Sequence, residues 1–377
     1  MNRDTGEGLS APLAVPLFRR LWLGNMVTNF GWLIQSVGAA WLMTELVGTP
    51  DWVGLVQTAL LLPILLFALP AGVFADVGDR RLVCMVGQAT MLVAALTLGT
   101  LTWLGLTGPI TLLALTFALG AGSALANAPF QTIVREVVPR PAMAAAVTLN
   151  AISFNMARSV GPAVGGVLVA SIGSEAAFLT NALCYLPLLL VLLAWKRPPV
   201  RMAIRGRMGR ALGDGIRFAK ESDAIRAVLA YCAIFSFCAS SIQGLLPLVA
   251  RDRLDGDAVT FGLLLGAFGV GAMGGAFLVH PARRRFGTGP VVTWLGLQLA
   301  LSTLVVAWSS NLVLLSLALA LAGTAWLGSF SSFNIAVQHA SAAGLEARQL
   351  AIYQTIVFGS MAAGSWIWGE VAHLLDV

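Results

Sequence analysis

The stretch LWLGNMVTNFGWLIQSVGAAWLMT (21–44) runs from Arg20 to Glu45 without one charged side chain. WVGLVQTALLLPILLFALPAGVFA (52–75) and AVLAYCAIFSFCASSIQGLLPLVA (227–250) do the same. Each holds about 24 residues, and roughly 20 apolar residues wound as a helix cross the hydrocarbon core of a bilayer. Backbone inside lipid must satisfy its own hydrogen bonds, so only helices and closed β-barrels span it. Barrel strands alternate in polarity over roughly ten residues, whereas these runs are continuously apolar. The expected fold class is all-α and polytopic.

The rest of the composition agrees. Apolar residues make up 58% of the chain, charged residues 11%, and mean hydropathy is +0.84. A soluble domain carries roughly a quarter charged residues. Breaking the apolar runs at charges and at Gly/Pro/Ser/Asn clusters gives eleven helices, at 20–44, 52–75, 82–105, 110–134, 142–172, 176–195, 225–249, 259–281, 288–308, 312–338 and 347–375. Two breaks rest on turn chemistry alone, Gly105 to Pro109 and Ser309-Ser310-Asn311. The first apolar run is too long for the core of a signal peptide and is expected to stay as a helix.

With the N-terminus in the cytoplasm, 20 of the 23 basic residues fall on the cytoplasmic side. Nine of them lie between Lys196 and Arg226, while Arg251 and Arg253 fall outside, among Asp252, Asp255 and Asp257. This is the asymmetry that sets orientation in membranes, and it accounts for the net charge of +6 without nucleic acid. The one long polar segment divides the chain into a six-helix bundle (1–195), a basic cytoplasmic linker (196–224) and five helices (225–377). The halves echo each other at an offset near 204–207. Asn127-x-x-x-Gln131 recurs as Asn334-x-x-x-Gln338, Arg80-Arg81 within Arg283 to Arg285, and Gly165 as Gly369. Parallel repeats about an axis normal to the membrane are a known transporter plan.

The segment GVFADVGDRR (72–81), between the second and third helices, resembles the loop motif of the major facilitator superfamily, with Val77 in place of Arg and Asp79 in place of Gly. RSVGPAVGG (158–166) resembles the antiporter motif of its exporters. With the stretches 150–166 and 349–354, these are similar to the multidrug and siderophore efflux branch, which includes enterobactin exporters. The resemblance implies two six-helix pseudo-repeats, here with the twelfth helix missing, and a cavity ringed by helices one, four, seven and ten. It also implies a bacterial inner-membrane protein that exports a drug-like or siderophore-like molecule by alternating access, as a monomer and driven by a proton gradient. Import of a metabolite, or a non-transporting sensor or assembly partner on the same fold, are the alternatives.

The residues can be read physically as well. Gly72, Asp76, Arg80 and Arg81 form a gating-loop candidate, in which the carboxylate caps a helix or pairs with an arginine. The plain alternative is an interfacial stop signal with snorkelling arginines. Gly161 and Gly165 lie one turn apart, with Pro162 and Gly166 beside them, a pattern that allows close helix contact and a bend. Arg158 lies well inside helix five, where a charge faces a cavity, pairs with a partner or snorkels outward. Candidate cavity amides are Asn25, Asn29, Gln35, Asn127, Gln131, Asn150, Asn155, Gln243, Asn334, Gln338 and Gln354; helix–helix glue is the competing role. Trp32, Trp41, Trp326, Trp366 and Trp368 can stack on substrates or anchor at the interface. Glu45, Glu136, Glu175 and Glu370 sit toward helix ends, so no proton-coupling carboxylate is visible mid-membrane. No P-loop, zinc spacing or paired His/Asp or Ser/His constellation points to a pump, a metal, a cofactor or an enzyme. Cys84, Cys184, Cys232 and Cys238 lie in apolar stretches as packing residues.

Overall fold

A computed structural model of the chain describes residues 9–77, 79–195, 217–341 and 346–375. Its first six long helices are α1 (Pro16–Leu46), α2 (Pro50–Val77), α3 (Arg80–Trp103), α4 (Pro109–Val137), α5 (Met143–Ile172) and α6 (Ser174–Ala194). Five more follow: α7 (Asp223–Leu248), α8 (Ala258–Phe286), α9 (Thr288–Trp308), α10 (Leu312–Ala340) and α11 (Glu346–Leu374). Each lies where the apolar runs place it, with ends moved by a few residues. A π turn (Val249–Arg253) prolongs α7. The linker residues 196–216 lie outside the described residues.

The helix ends are set by local chemistry. Pro16, Pro50 and Pro109 occupy first turns, where a missing N–H costs nothing. Asn311 caps α10 by accepting from the N–H groups of Val313 and Leu314, at 2.9 and 3.1 Å. Asp257 caps α8 through the Thr260 N–H at 3.0 Å. Asp79, the departure from the superfamily loop motif, is the N-cap of α3 and accepts from the Arg81 N–H at 2.9 Å. The α3–α4 turn is made by Gly105 at φ +68°, a conformation that costs glycine little.

Among the described residues, nine helices are long and apolar enough to cross a membrane. The two that fall short are α1 and α5, which carry Asn25, Asn29, Gln35, Asn150, Asn155 and Arg158. This is a multi-pass membrane protein. The packing partners repeat at an offset of six helices. α1 packs on α5 as α7 packs on α11, α2 on α4 as α8 on α10, and α3 on α4 as α9 on α10. The two sets meet where α2 lies on α11 and α5 lies on α8. Phe18, Leu21, Tyr185, Leu188 and Leu192 are fully buried in the first set, Phe261, Leu264, Leu315 and Leu319 in the second. Lipid is as apolar as these side chains, so close packing rather than escape from water holds the helices together.

Candidate functional site

Asn25, Asn29, Trp32 and Ser36 recur every three or four residues and share one face of α1. On α5 the equivalent face carries Val147, Asn150, Phe154, Arg158 and Pro162. Both faces border a cavity of about 610 Å³ at the centre of the molecule. α4 contributes Asn127 and Gln131, and α7 contributes Gln243. The last five helices otherwise present apolar and aromatic groups, chiefly Phe261, Phe268, Trp326 and Phe358. The cavity is therefore uneven: most of its amides come from the first six helices, while the last five give it Gln243 and otherwise apolar and aromatic groups.

Arg158 stands at the junction of the two sets of helices. Its Cζ lies 5.1 Å from the centroid of the Phe268 ring and 5.6 Å from that of Trp326, cation–π contacts that join α5 to α8 and α10. Among the described residues its guanidinium has no hydrogen bond or ion pair. The Asn150 carboxamide oxygen, on the same face of α5, is buried and has no hydrogen-bond partner among them, and the same holds for the Gln88 oxygen.

The cavity reaches Val134, Arg135 and Met143 at the α4–α5 turn, where Gln131 and Arg135 are exposed. It stops short of the opposite end, which is tied across the two sets of helices. Arg251 donates to the carbonyls of Thr44 (3.0 Å) and Gly48 (3.1 Å), while Asp252 holds its guanidinium at 2.5 Å. The Thr58 hydroxyl donates to Ala362 O at 2.9 Å, and Trp41 stacks on Phe261 at 6.4 Å. Backbones also meet here. A Cβ on Gly166 would strike the Ala258 carbonyl and lie 3.1 Å from Gly262 Cα, and one on Gly262 would lie 2.5 Å from Pro162 O. Gly161 and Gly165 face elsewhere: a Cβ on either would lie 3.0 Å from Leu33 or Ile34 of α1. The glycine motif thus serves two contacts, and Gly166 is the member that bridges the two sets.

Gln35 is buried between α1 and α6, where its oxygen accepts from the Asn181 amide, which also donates to Tyr185 Oη at 3.2 Å. It glues helices and does not line the cavity. Asn155 turns back to Ala151 O at 2.9 Å. Asn334 and Gln338 bond each other at 2.6 Å, and Gln354 is exposed; none of these borders the cavity. Gly72 and Asp76 lie in the final turns of α2, with side chains outside the described residues. Arg80 pairs with Glu136 of α4 at 2.5 Å, and Arg81 donates to the last carbonyls of α6, Leu192 O (2.5 Å) and Leu193 O (2.9 Å). These bonds brace the first six helices to one another. Trp32 and Trp326 line the cavity. Trp41 donates to Glu45 at 2.7 Å and Trp368 to Phe237 O at 3.0 Å, while Trp366 is exposed.

A family profile described as transmembrane secretion effector, within the major facilitator superfamily, matches residues 7–377. The chain belongs to this family. Its curated relatives include the staphyloferrin A transporter of Staphylococcus aureus, 31% identical over 167 residues. That match covers 44% of this chain and 40% of the relative's length. The multidrug efflux pump Tap of Mycobacterium tuberculosis is 24% identical over 352 residues, covering 90% of this chain and 83% of the pump. Among solved structures, the nucleoside transporter NupG superposes with a TM-score of 0.77 at 13% identity, over 95% of this chain and 91% of that one. A bacterial homolog of the human lysosomal transporter Spinster, inward-facing and unoccupied, gives 0.74 at 15% identity, over 100% and 83%. These likenesses show the major facilitator fold. In this secretion effector, sequence reasoning passed over Gln57 of α2 and Gln88 of α3, which also border the cavity. Each is a lone amide in an apolar helix, the same signal that marked Gln243.

Proposed function

We propose that this secretion effector is a secondary transporter that exports a drug-like or siderophore-like small molecule by alternating access. The observation that carries the proposal is the central cavity of about 610 Å³, which reaches one end of the molecule and is sealed from the other. Its volume lies within the usual range for small-molecule sites, and its few polar groups among aromatic walls suit a drug-sized ligand. The relatives named for a siderophore and for multidrug efflux support that substrate class. In this reading the bundle 1–195 and the helices of 225–377 rock about the cavity, joined by the linker 196–224. The contacts of α5 with α8 and of α2 with α11 at the sealed end part as the other end closes. In this reading the N-terminus and the open end lie in the cytoplasm of a bacterial cell and the sealed end faces outward, an orientation that the distribution of arginine supports. The protein works as a monomer, and a proton gradient drives each cycle.

A panel of toxic compounds and chelators, applied to an efflux-deficient strain with and without an uncoupler, tests this directly. Expression of the chain is expected to lower the accumulation of at least one compound, and the uncoupler to abolish the effect. Accumulation unchanged across the whole panel, with the protein present in the membrane, overturns export.

A further inference from the structure

Resting on the transport reading above, we infer that Arg158 is the anion-binding centre of the cavity, and that the substrate class is an amphipathic organic anion. Such a molecule carries a carboxylate, sulfonate or phosphate group on a planar apolar body.

Arg135 and Arg158 both border the cavity, and among the described residues no Asp or Glu does. Glu45 is engaged by Trp41, and Glu136 by Arg80. A cation entering from the Arg135 end meets two like charges with no carboxylate among these lining groups to offset them. An anion meets the reverse. A charge within a spanning helix is costly unless a partner answers it, and Arg158 has only rings among the described residues.

Geometry then narrows the ligand. Phe268 and Trp326 cover the guanidinium through cation–π contact. The five N–H donors of an arginine lie in its plane, in a fork that matches a carboxylate or phosphate with two parallel hydrogen bonds. The two rings hold the guanidinium from the side of α8 and α10, and its donors have no protein acceptor among the described residues. The same rings, with Phe261 and Phe154 nearby, offer a surface for a flat apolar body. Asn150 lies eight residues before Arg158 on the same face, about 12 Å away along the helix. Its unpartnered carboxamide oxygen is an acceptor for a hydroxyl or amide donor at the far end of the ligand. The arrangement describes an elongated molecule with its anionic group held deep, at Arg158, and its donor group nearer the cytoplasmic opening.

Two fluorescent probes with one ring frame test the assignment. Anilinonaphthalene sulfonate carries the anion, and N-phenylnaphthylamine lacks it. With the full chain in nanodiscs of uncharged lipid, the sulfonate is expected to bind at least about tenfold more tightly than the amine, and added salt should weaken only the sulfonate. Arg158→Gln is expected to remove about tenfold in sulfonate affinity while leaving the amine unchanged, which also shows that the variant is folded. Arg158→Lys should restore part of the loss, because it keeps the charge without the fork. Equal affinity of the two probes for the wild-type chain overturns the inference, as does an undiminished sulfonate preference in Arg158→Gln. The transport reading fails separately. Export of only neutral or cationic panel compounds, with no sulfonate preference, overturns the anion assignment alone. A sulfonate preference with no export of any compound overturns transport alone.

Discussion

Ser36 lines the cavity, while its neighbour Gln35 is buried against Asn181 of α6. Successive residues on a helix point about 100° apart, so adjacent polar residues serve different surfaces. This gives a prediction of opposite outcomes. Gln35→Leu leaves the Asn181 amide short of an acceptor in a dry site, which costs about 1–3 kcal/mol. It is expected to lower thermal stability in detergent without changing substrate KM. Asn29→Leu is expected to raise KM with little effect on stability. A changed KM at full stability for Gln35→Leu contradicts the assignment. The distinction was already present in the sequence. Asn25, Asn29, Trp32 and Ser36 follow helical spacing and Gln35 breaks it, as Asn155 breaks the series through Asn150 and Arg158. Counting amides without their phase placed all of them in one class. What no spacing supplies is the partner: Asn181 and Tyr185 lie about 150 residues away in the chain.

Helix α5 shows how one motif serves two neighbours. The sequence identifies Gly161, Pro162, Gly165 and Gly166 as a close-contact element, but not which helix each one meets. That depends on where α1 and α8 lie around α5, which only the assembled bundle determines. Gly161 meets α1 within the first six helices, and Gly166 meets α8 across the two sets. Overpacking by a leucine costs about 1–3 kcal/mol at either place. At Gly161 that cost falls on every state in which α1 and α5 stay packed, so stability drops and access does not change. At Gly166, in the proposed transport cycle, it falls on the outward-sealed state alone. A shift of about 1.4 kcal/mol changes the population ratio tenfold. In a background lacking Cys84, Cys184, Cys232 and Cys238, a Gln57→Cys reporter near the sealed end is expected to react faster with an impermeant thiol reagent in Gly166→Leu. Gly161→Leu should leave that rate unchanged. Equal rates for the two variants would sink the division of labour. The positions of the helices themselves were legible, because charge gaps, Gly105 and the Asn311 cap mark their ends.

For the whole molecule, the sequence repeat is more symmetric than the site. Asn127 and Gln131 border the cavity, whereas their counterparts Asn334 and Gln338 satisfy each other outside it. Internal duplication therefore fixes the architecture without fixing the chemistry, which is concentrated on α1, α4 and α5. The asymmetry extends to the sealed end, where Arg251 of the second set grips the end of α1. Thr44 and Gly48 belong to the C-terminal turn of α1 and the residues after it, where carbonyls lack helical partners and a cation is favoured. Gly48 adopts φ +71°, a conformation that a side chain would strain. Asp252 fixes the guanidinium from its own side of the gap. The arginine is partly exposed, so its two bonds across the gap are worth about 1 kcal/mol, a factor of roughly five in the balance between sealed and open forms. Arg251→Ala is therefore expected to speed labelling of the Gln57→Cys reporter from outside by about fivefold. Arg251→Lys should fall between, since it keeps the charge and loses the paired donors. Arg253→Ala, two residues on in the same loop, supplies the control, because it removes an equal charge without a bond to α1. If Arg251→Ala and Arg253→Ala label alike, the loop acts only through its net charge and Arg251 is not a latch.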